Sequence, residues 1–313
     1  MNANVPPSPP NDAWARQAER VAAQHWPARA LYVIATPIGN LADLGLRAWH
    51  ALAQADVVAA EDTRATRTLF DAWGLATPLM PAHRHNEAAA ARAIVARLEA
   101  GERVALVSDA GSPAVSDPGA RIVRAVRDAG YTVVPVPGPS AVIAALMASG
   151  ATSDENPAFA FAGFPPSRGA ARQRWLRQWC ALPAPVVLFE APHRLEATLA
   201  DLETVCGGGR RLTLARELTK RFEEIATVEL PAAREWLAGQ PHRNQGEFVL
   251  IVHAEAASDD DADAQAVAPD TDVLLDALLE SLSVRDAARV AARATGLPRD
   301  VLYARALARR ERS

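Results

Sequence analysis

Residues 104–119, Val-Ala-Leu-Val-Ser-Asp-Ala-Gly-Ser-Pro-Ala-Val-Ser-Asp-Pro-Gly, join a short apolar run to a loop rich in turn-forming and acidic residues. The run at 104–108 is typical of a buried strand in a parallel sheet. In open α/β sheets, ligands bind beyond the carboxyl ends of the strands, which is where the following loop would lie. Gly111 has no Cβ and allows close approach of the backbone to a ligand, while Pro113 and Pro118 stiffen the loop. The stretch predicts an α/β fold with a ligand site at this loop.

The same strand–loop–helix pattern recurs on both sides of this stretch, and it changes after residue 150. The expected helices of the first half lie at 43–54, 88–100 and 120–129. The expected strands lie at 31–35, 56–60, 104–108 and 132–136 in the first half, and at 158–162, 186–189, 211–215 and 248–253 in the second. Strands that alternate with helices are typical of a parallel sheet covered by helices. We therefore predict an α/β protein with a parallel-sheet N-terminal domain and a second α/β domain.

The last part of the chain has a helical pattern of its own. Three short helices are expected at 272–282, 283–295 and 298–308, with Ser283 as an N-cap and Gly296 as a stop. This is a small module of the helix-turn-helix kind, and that geometry alone does not imply DNA binding. The expected domain order is a disordered leader at 1–30 with one short amphipathic helix at about 14–24, an N-terminal domain at 31–145, a C-terminal domain at 146–253, an acidic linker at 254–270 and the helical module at 271–313.

Composition limits the classes of function. The 313-residue chain has a net charge of −4, which by itself does not indicate a nucleic-acid partner. Its apolar runs are far shorter than the ~20 residues of a membrane span, and Met1–Pro10 lacks the charged and apolar regions of a secretory signal. Cys180 and Cys206 lack metal-ligand spacing, and no G-x-G-x-x-G or P-loop motif is present. We expect a cytoplasmic protein with no membrane span and no metal.

Eight motifs follow one another along the chain in a characteristic order. They are LYVIATPIGNLADL (31–44), AEDTR (60–64), HNE (85–87), the stretch 106–119, VPGPSA (136–141), FEAPHRL (189–195), RELTK (216–220) and GEFVLIV (246–252). With these motifs the chain closely resembles the bacterial 16S ribosomal RNA (cytidine-2′-O)-methyltransferase family, within the tetrapyrrole-methylase-like superfamily. The resemblance covers about residues 31–253, and the helical tail resembles that family's C-terminal helix-turn-helix-like region.

The resemblance implies a fold, a cofactor and a substrate. The fold would be the two-domain tetrapyrrole-methylase-like fold, with S-adenosylmethionine in the cleft between the domains and a homodimer as the assembly. The reaction would be 2′-O-methylation of a cytidine in 16S ribosomal RNA, at cytidine 1402 of the decoding region and on the 30S subunit. Two alternatives are a porphyrin or corrin C-methyltransferase of the same superfamily and a non-catalytic RNA-binding assembly factor. Neither DNA nor a membrane is expected as a partner.

The resemblance also assigns the cofactor-binding residues. Those of the N-terminal domain and the segment after it are Pro37, Gly39, Ser108, Asp109, Ala110, Gly111, Pro113, Pro137, Gly138, Ser140 and Ala141. Those of the second domain are Glu190, Arg216, Glu217 and Gly246.

Methyl transfer to a ribose hydroxyl requires the 2′-oxygen to lie in line with the sulfonium methyl, and a base assists because the hydroxyl is weakly acidic. We hypothesise that Glu61 or Asp62 orients or deprotonates this hydroxyl and that Arg64 binds a phosphate. The alternative is that these residues form an ion-pair network at the start of a helix, with Asp62 as its cap.

The remaining candidates are expected to bind the RNA substrate. They are His85, Asn86, Glu87, Arg174, His193 and Arg194. Two structural alternatives stay open for part of this set. Arg174 belongs to a run of arginines at helical spacing that would also suit a solvated helix face, and His193 with Arg194 would also suit an ion pair at a helix start.

Overall fold

A computed structural model describes residues 11–154, 156–255 and 269–310. They belong to two compact units, one within residues 1–254 and the other within 255–313. The strands are β1 (Ala30–Ile34), β2 (Val57–Ala60), β3 (Leu79–Pro81), β4 (Val104–Val107), β5 (Thr132–Val136), β6 (Ala160–Gly163), β7 (Val186–Glu190), β8 (Arg211–Arg216), β9 (Glu224–Glu229) and β10 (Phe248–Val252).

The helices of the first unit follow or separate these strands. They are α1 (Asn11–Ala22), α2 (Leu46–Gln54), α3 (Thr63–Trp73), α4 (Glu87–Glu99), α5 (Ala120–Asp128), α6 (Ala141–Ser149), α7 (Gly169–Cys180), α8 (Pro192–Cys206) and α9 (Leu230–Ala238). The second unit contains α10 (Pro269–Leu279), α11 (Val284–Thr295) and α12 (Arg299–Arg310). No helix in the described ranges is long and apolar enough to cross a membrane.

The first sheet has the strand order β3-β2-β4-β1-β5, and all of its pairs are parallel. Every side chain of β2 and β4 is buried, because helices cover both faces of the sheet. One face packs against α1 to α3, and the other packs against α4 and α5. The parallel-sheet N-terminal domain predicted from the sequence is confirmed, and the carboxyl ends of β1, β4 and β5 meet at one edge.

The second sheet is mixed, with the order β6-β7-β10-β8-β9. Only β6 and β7 run parallel, and the other pairs are antiparallel. Helices α7 to α9 cover one face, while Val142, Ala145 and Leu146 of α6 pack against the other. Helix α6 crosses the domain boundary that the sequence predicts at residue 145. Its apolar side packs in the core of the second sheet.

The short helix expected within the leader corresponds to α1, whereas residues 11–30 are ordered where a disordered leader is expected. Helix α1 contacts α2, and both Val21 and the Trp26 ring are buried in the first core. The Trp26 indole N–H donates to the carbonyl of Val21 at 2.8 Å. Apolar burial thus fixes this segment to the first sheet, whereas residues 1–10 lie outside the described residues.

The second unit is a three-helix module around Leu275, Ala288, Leu302 and other small apolar side chains. Ser283 caps α11 by accepting a hydrogen bond from the backbone N–H of Asp286, as the sequence predicts. Gly296 ends α11 with a left-handed φ of 76°. Of the predicted acidic linker, residues 256–268 lie outside the described residues.

Candidate active site

A cavity of about 370 Å³ lies in the first unit, between the carboxyl edge of the first sheet and the α6-covered face of the second. The loops after β1, β4, β5 and β7 contribute to it, together with the start of α6. Its lining residues are Ile38, Ala110, Gly111, Ser112, Val115, Ser116, Asp117, Ser140, Ala141, Val142, Phe164, Phe189, Glu190, Ala191, Pro192, Ala215, Leu218, Glu247, Phe248 and Val249. A cleft formed by strand-end loops is therefore present where the sequence predicts one.

The loops after β1 and β4 are joined through their backbones. The N–H of Thr36 donates to the carbonyl of Gly111 at 2.9 Å, and the N–H of Gly111 donates to the carbonyl of Thr36 at 3.0 Å. The Thr36 hydroxyl also donates to the carbonyl of Ser108 at 3.1 Å. Gly111 has a φ of 75°, a conformation that favours glycine. These bonds hold the two loops side by side at the cavity.

The loop after β4 contains unusual backbone conformations. Ala114 and Ser116 have φ values of 67° and 69°, which are uncommon for residues with a Cβ. At the end of the loop, Glu87 Oε1 accepts hydrogen bonds from the N–H groups of Gly119 at 2.9 Å and Arg121 at 3.1 Å. Glu87 thus fastens the C-terminal end of the loop to the start of α4.

Three carboxylates and one arginine lie close together beside this loop. Burial raises the pKa of Glu61, and the nearby charges of Asp109 and Asp117 raise it further. Burial likewise raises the pKa of Asp117, which lines the cavity, and Asp109 adds to the effect. The positive charge of Arg84 opposes both shifts. Burial and the repulsion of neighbouring carboxylates thus make Glu61 and Asp117 easier to protonate than ordinary carboxylates.

Asp62 occupies a helix cap beside this cluster. Its Oδ1 accepts the backbone N–H of Arg64 at 2.8 Å, and its own N–H donates to Asp109 Oδ1 at 2.9 Å. The hydrogen bond from the Arg64 backbone is the main cause of a lowered pKa at Asp62. The Arg64 side chain is 91% exposed and lies 3.4 Å from Asp62 Oδ2. The geometry gives Asp62 the capping contacts and leaves the Arg64 side chain largely in solvent.

Glu190 is a buried carboxylate on the second-domain side of the cavity. It accepts hydrogen bonds from the Thr198 hydroxyl at 2.5 Å and the Ala191 N–H at 2.8 Å. Arg194 lies 3.2 Å from its Oε1 and also donates to the carbonyl of Pro165. A buried carboxylate is tolerated when it is paired in this way. The carboxylate and the guanidinium therefore form one fixed group at the wall.

Arg216, Glu217 and Gly246 shape the adjacent loops without lining the cavity. The buried Arg216 donates to the carbonyls of Gln245 at 2.8 Å and Phe222 at 3.0 Å. Glu217 Oε1 accepts from the N–H of Glu247 at 2.9 Å, and this fixes a residue that does line the cavity. Gly246 has a φ of 91° and lies so close to Glu217 that a Cβ would fall 2.6 Å from its Cγ.

The cofactor-binding residues predicted from the sequence divide into two groups. Ala110, Gly111, Ser140, Ala141 and Glu190 line the cavity. The others lie in the surrounding loops or, for Arg216, at the end of β8: Pro37, Gly39, Ser108, Asp109, Pro113, Pro137, Gly138, Arg216, Glu217 and Gly246. Gly138 illustrates their role, since a Cβ there would lie 3.0 Å from the Cβ of Ala35, so close packing of the two loops requires glycine.

None of the six predicted substrate-binding residues lines the cavity. Asn86 holds the turn before α4, because its Oδ1 accepts from the N–H of His83 at 2.8 Å and its amide donates to Pro81 at 3.1 Å. Glu87 and Arg194 have the contacts described above. The side chains of the remaining three are exposed: His85, Arg174 and His193.

Sequence reasoning did not assign most of the apolar wall. Phe189 packs edge to face against Phe161 and Phe164, with ring centroids 4.9 and 5.5 Å apart. Neither Asp117 nor Ser112 was assigned either, although both lie within residues 104–119. In the described ranges, no cluster of three or more His, Cys, Asp or Glu side chains could hold a metal ion.

Known proteins match the chain over most of its length. Residues 30–233 match the family of tetrapyrrole (corrin/porphyrin) methylases, and residues 265–310 match the RsmI C-terminal HTH domain. The chain is 43% identical to ribosomal RNA small subunit methyltransferase I from Pseudomonas aeruginosa, covering 91% of this chain and 99% of that protein. The Mesorhizobium japonicum protein of the same name is 45% identical, covering 89% and 91%.

A solved structure supports the fold independently. Uroporphyrin-III C-methyltransferase from Thermus thermophilus, complexed with S-adenosylhomocysteine, aligns with a TM-score of 0.50 at 17% identity. The alignment covers 71% of this chain and 96% of that one. The two-domain architecture, the matched domains and the closely similar curated relatives agree: the chain belongs to the ribosomal RNA small subunit methyltransferase I family.

Proposed function

We propose that this protein transfers a methyl group from S-adenosylmethionine to the ribose 2′-oxygen of a cytidine in 16S ribosomal RNA. The observation that carries the proposal is 43% identity, over nearly the whole length of both chains, to a protein named for small-subunit ribosomal RNA. The substrate is the 30S subunit, and the protein acts in the cytoplasm, where that subunit is assembled.

The cavity suits S-adenosylmethionine. Apolar side chains such as Val142, Leu218 and Phe248 offer a dry surface for the adenine ring, and the carboxylate of Asp117 suits the cationic end. Gly111 allows the ligand to approach the backbone. When bound, the cofactor supplies a methyl group on a positively charged sulfur. The residues of this chain orient the cofactor and exclude water from the cavity.

Glu61 is the better candidate for the base. Its pKa is raised by burial and by neighbouring carboxylates, so its carboxylate forms a stronger base than that of an ordinary glutamate. Asp62 is engaged as the cap of α3, and its pKa is lowered. We propose that Glu61 takes the proton of the ribose hydroxyl, a contribution of about 10²–10⁴-fold to the rate.

Exposed basic side chains of the first unit are the proposed RNA contacts. The Arg64 side chain is almost wholly exposed, and Arg174 and His193 are exposed as well. Arginine suits phosphate because its planar guanidinium donates two parallel hydrogen bonds. Asn86, Glu87 and Arg194 act indirectly, because each is already bonded to a loop or to Glu190.

We also propose that the protein acts as a homodimer that uses one face of α6. Ile143 and Met147 lie one helical turn apart and are 46% and 82% exposed. Apolar side chains this exposed at adjacent positions are typical of an interaction surface. Sedimentation of a Met147→Glu variant should show a monomer, whereas Val273→Glu, at an exposed position of the second unit, should leave a dimer.

The reaction is tested with radiolabelled S-adenosylmethionine and 30S subunits from cells that lack the modification. Nuclease digestion and mass spectrometry then locate any 2′-O-methyl group. One methylated cytidine is the expected result. Cofactor binding without transfer to RNA would favour a porphyrin or corrin acceptor, and failure to bind the cofactor would favour an assembly factor.

A further inference from the structure

Helix α11 has an arginine stripe, which consists of Arg285, Arg289 and Arg293. The three residues are spaced four apart, so they lie along one side of the helix over about 12 Å. All three side chains are exposed. The opposite side of α11 is apolar and is buried in the core of the module through Ala288 and Ala291. The helix therefore presents a basic face to solvent.

Two arginines of α12 have an internal role. Arg305 and Arg309 of α12 bind Asp272 and Asp276 of α10, with Arg305 Nε 2.7 Å from Asp272 Oδ1. These pairs connect the first and last helices of the module and neutralise the charges involved. Arg305 and Arg309 therefore contribute little positive charge for a partner.

The arginine stripe, in contrast, is only partly neutralised. Asp286 lies 2.7 Å from Arg289, and the Arg289 side chain remains 62% exposed. Within the described part of the chain, Arg285 and Arg293 form no ion pair or hydrogen bond through their side chains. Three cations beside one acid give the face a net positive charge, which suits a polyanion.

We propose that the arginine stripe of α11 binds the phosphate backbone of the RNA substrate. The inference rests on the proposed RNA-methylating function and adds a second place of contact, on the module and separate from the residues that line the cavity. Phosphate contacts position a nucleic acid without reading its sequence. The stripe therefore contributes affinity, while the choice of nucleotide belongs to the catalytic domains.

The test compares the full-length protein with an R285Q/R289Q/R293Q variant. Glutamine retains helix propensity and removes the charge, so the fold should persist, which circular dichroism checks. Binding to unmodified 30S subunits is measured at several salt concentrations, and KM and kcat for methyl transfer are measured alongside. An R92Q/R124Q/R127Q variant removes the same charge from exposed positions of α4 and α5.

If the three arginines contact three phosphates, their loss should make the slope of log binding constant against log salt concentration shallower by about 2 in the R285Q/R289Q/R293Q variant. KM should rise about tenfold with kcat unchanged. An R285K/R289K/R293K variant should restore most of the affinity and of the salt dependence, because lysine retains the positive charge that attracts phosphate.

The assignment to α11 would be overturned if the salt slope of the R285Q/R289Q/R293Q variant were unchanged. It would also be overturned if the R92Q/R124Q/R127Q variant lost as much affinity for 30S subunits. If the unsubstituted protein binds 30S subunits but transfers no methyl group to them, the proposed function fails while the stripe remains supported by its own binding data. Absence of 30S binding by the unsubstituted protein would contradict both.

Discussion

Substitution of Glu87 can distinguish a residue that binds substrate directly from one that positions a loop beside the cavity. The sequence motif suggests that Glu87 binds substrate, whereas its contacts indicate that it positions the loop after β4. One carboxylate oxygen accepts the N–H groups of Gly119 and Arg121, at 2.9 and 3.1 Å. Substitution by alanine removes both bonds and the negative charge at the start of α5.

The size of the effect follows from these two bonds. Hydrogen bonds to a charged acceptor contribute about 1.5–3 kcal/mol each when buried, and less when exposed. One of the two is partly buried and the other is exposed, so about 2 kcal/mol for the pair is reasonable. If this loss falls on the ordering of the loop, the dissociation constant of the cofactor should rise about 30-fold. Glu87→Gln keeps the acceptor oxygen and should raise it only about fivefold.

Calorimetric titration with S-adenosylhomocysteine measures this change directly. Glu99→Ala is a matched control, because it makes the same substitution at the exposed opposite end of α4. The KM for 30S subunits should be nearly unchanged in all three variants at saturating cofactor. Wild-type cofactor affinity together with a raised KM for RNA in Glu87→Ala would refute the positioning role and favour direct substrate contact.

Three further predictions concern the reaction and the stability of the fold. Glu61→Gln should lower kcat about 10²–10⁴-fold and abolish the rise of kcat with pH, because the raised pKa of Glu61 shifts formation of its carboxylate to higher pH. A larger loss of kcat in Asp62→Ala than in Glu61→Gln would make Asp62 the base instead. Arg172→Leu should lower the free energy of unfolding in urea by about 3–5 kcal/mol, because the buried carboxylate of Asp201, 2.6 Å from Arg172 Nη2, loses its ion-pair partner. Removing the Asp201 carboxylate as well should recover most of the loss. Gly246→Ala should lower the melting temperature more than Gly101→Ala, since both glycines have positive φ but only the first also has side-chain atoms in the way of a Cβ; equal shifts would mean that backbone strain alone matters.

The sequence predicts the central elements of the fold well, because these carry strong local patterns. The four-residue strand β4 is wholly apolar, and α11 has both a capping serine and a stop glycine. The strands that escaped prediction, β3 and β9, are at the edges of their sheets. The first is three residues long and ends in proline, and the second is only half-buried, so neither has a clear pattern.

The candidate site was less predictable, since its geometry depends on contacts between distant residues. The loop after β4 identifies the place of the cavity, but nothing near Glu87 in the sequence indicates that it bonds to Gly119. In the sequence, Phe189 and Leu218 cannot be told from ordinary core residues. Their place in the apolar wall of the cavity is visible only in the folded structure. Local sequence thus indicates which loops meet, and only the fold shows which side chains face the cavity.

The reciprocal bond between Thr36 and Gly111 bears on how such a protein changes during evolution. Because main-chain groups make this connection, substitutions of the side chains around it can alter what enters the cavity without separating the two loops. Substitutions that accumulate around the cavity therefore need not break the connection between the loops that form it. One architecture can in this way diverge toward acceptors as unlike as a flat macrocycle and a folded nucleic acid.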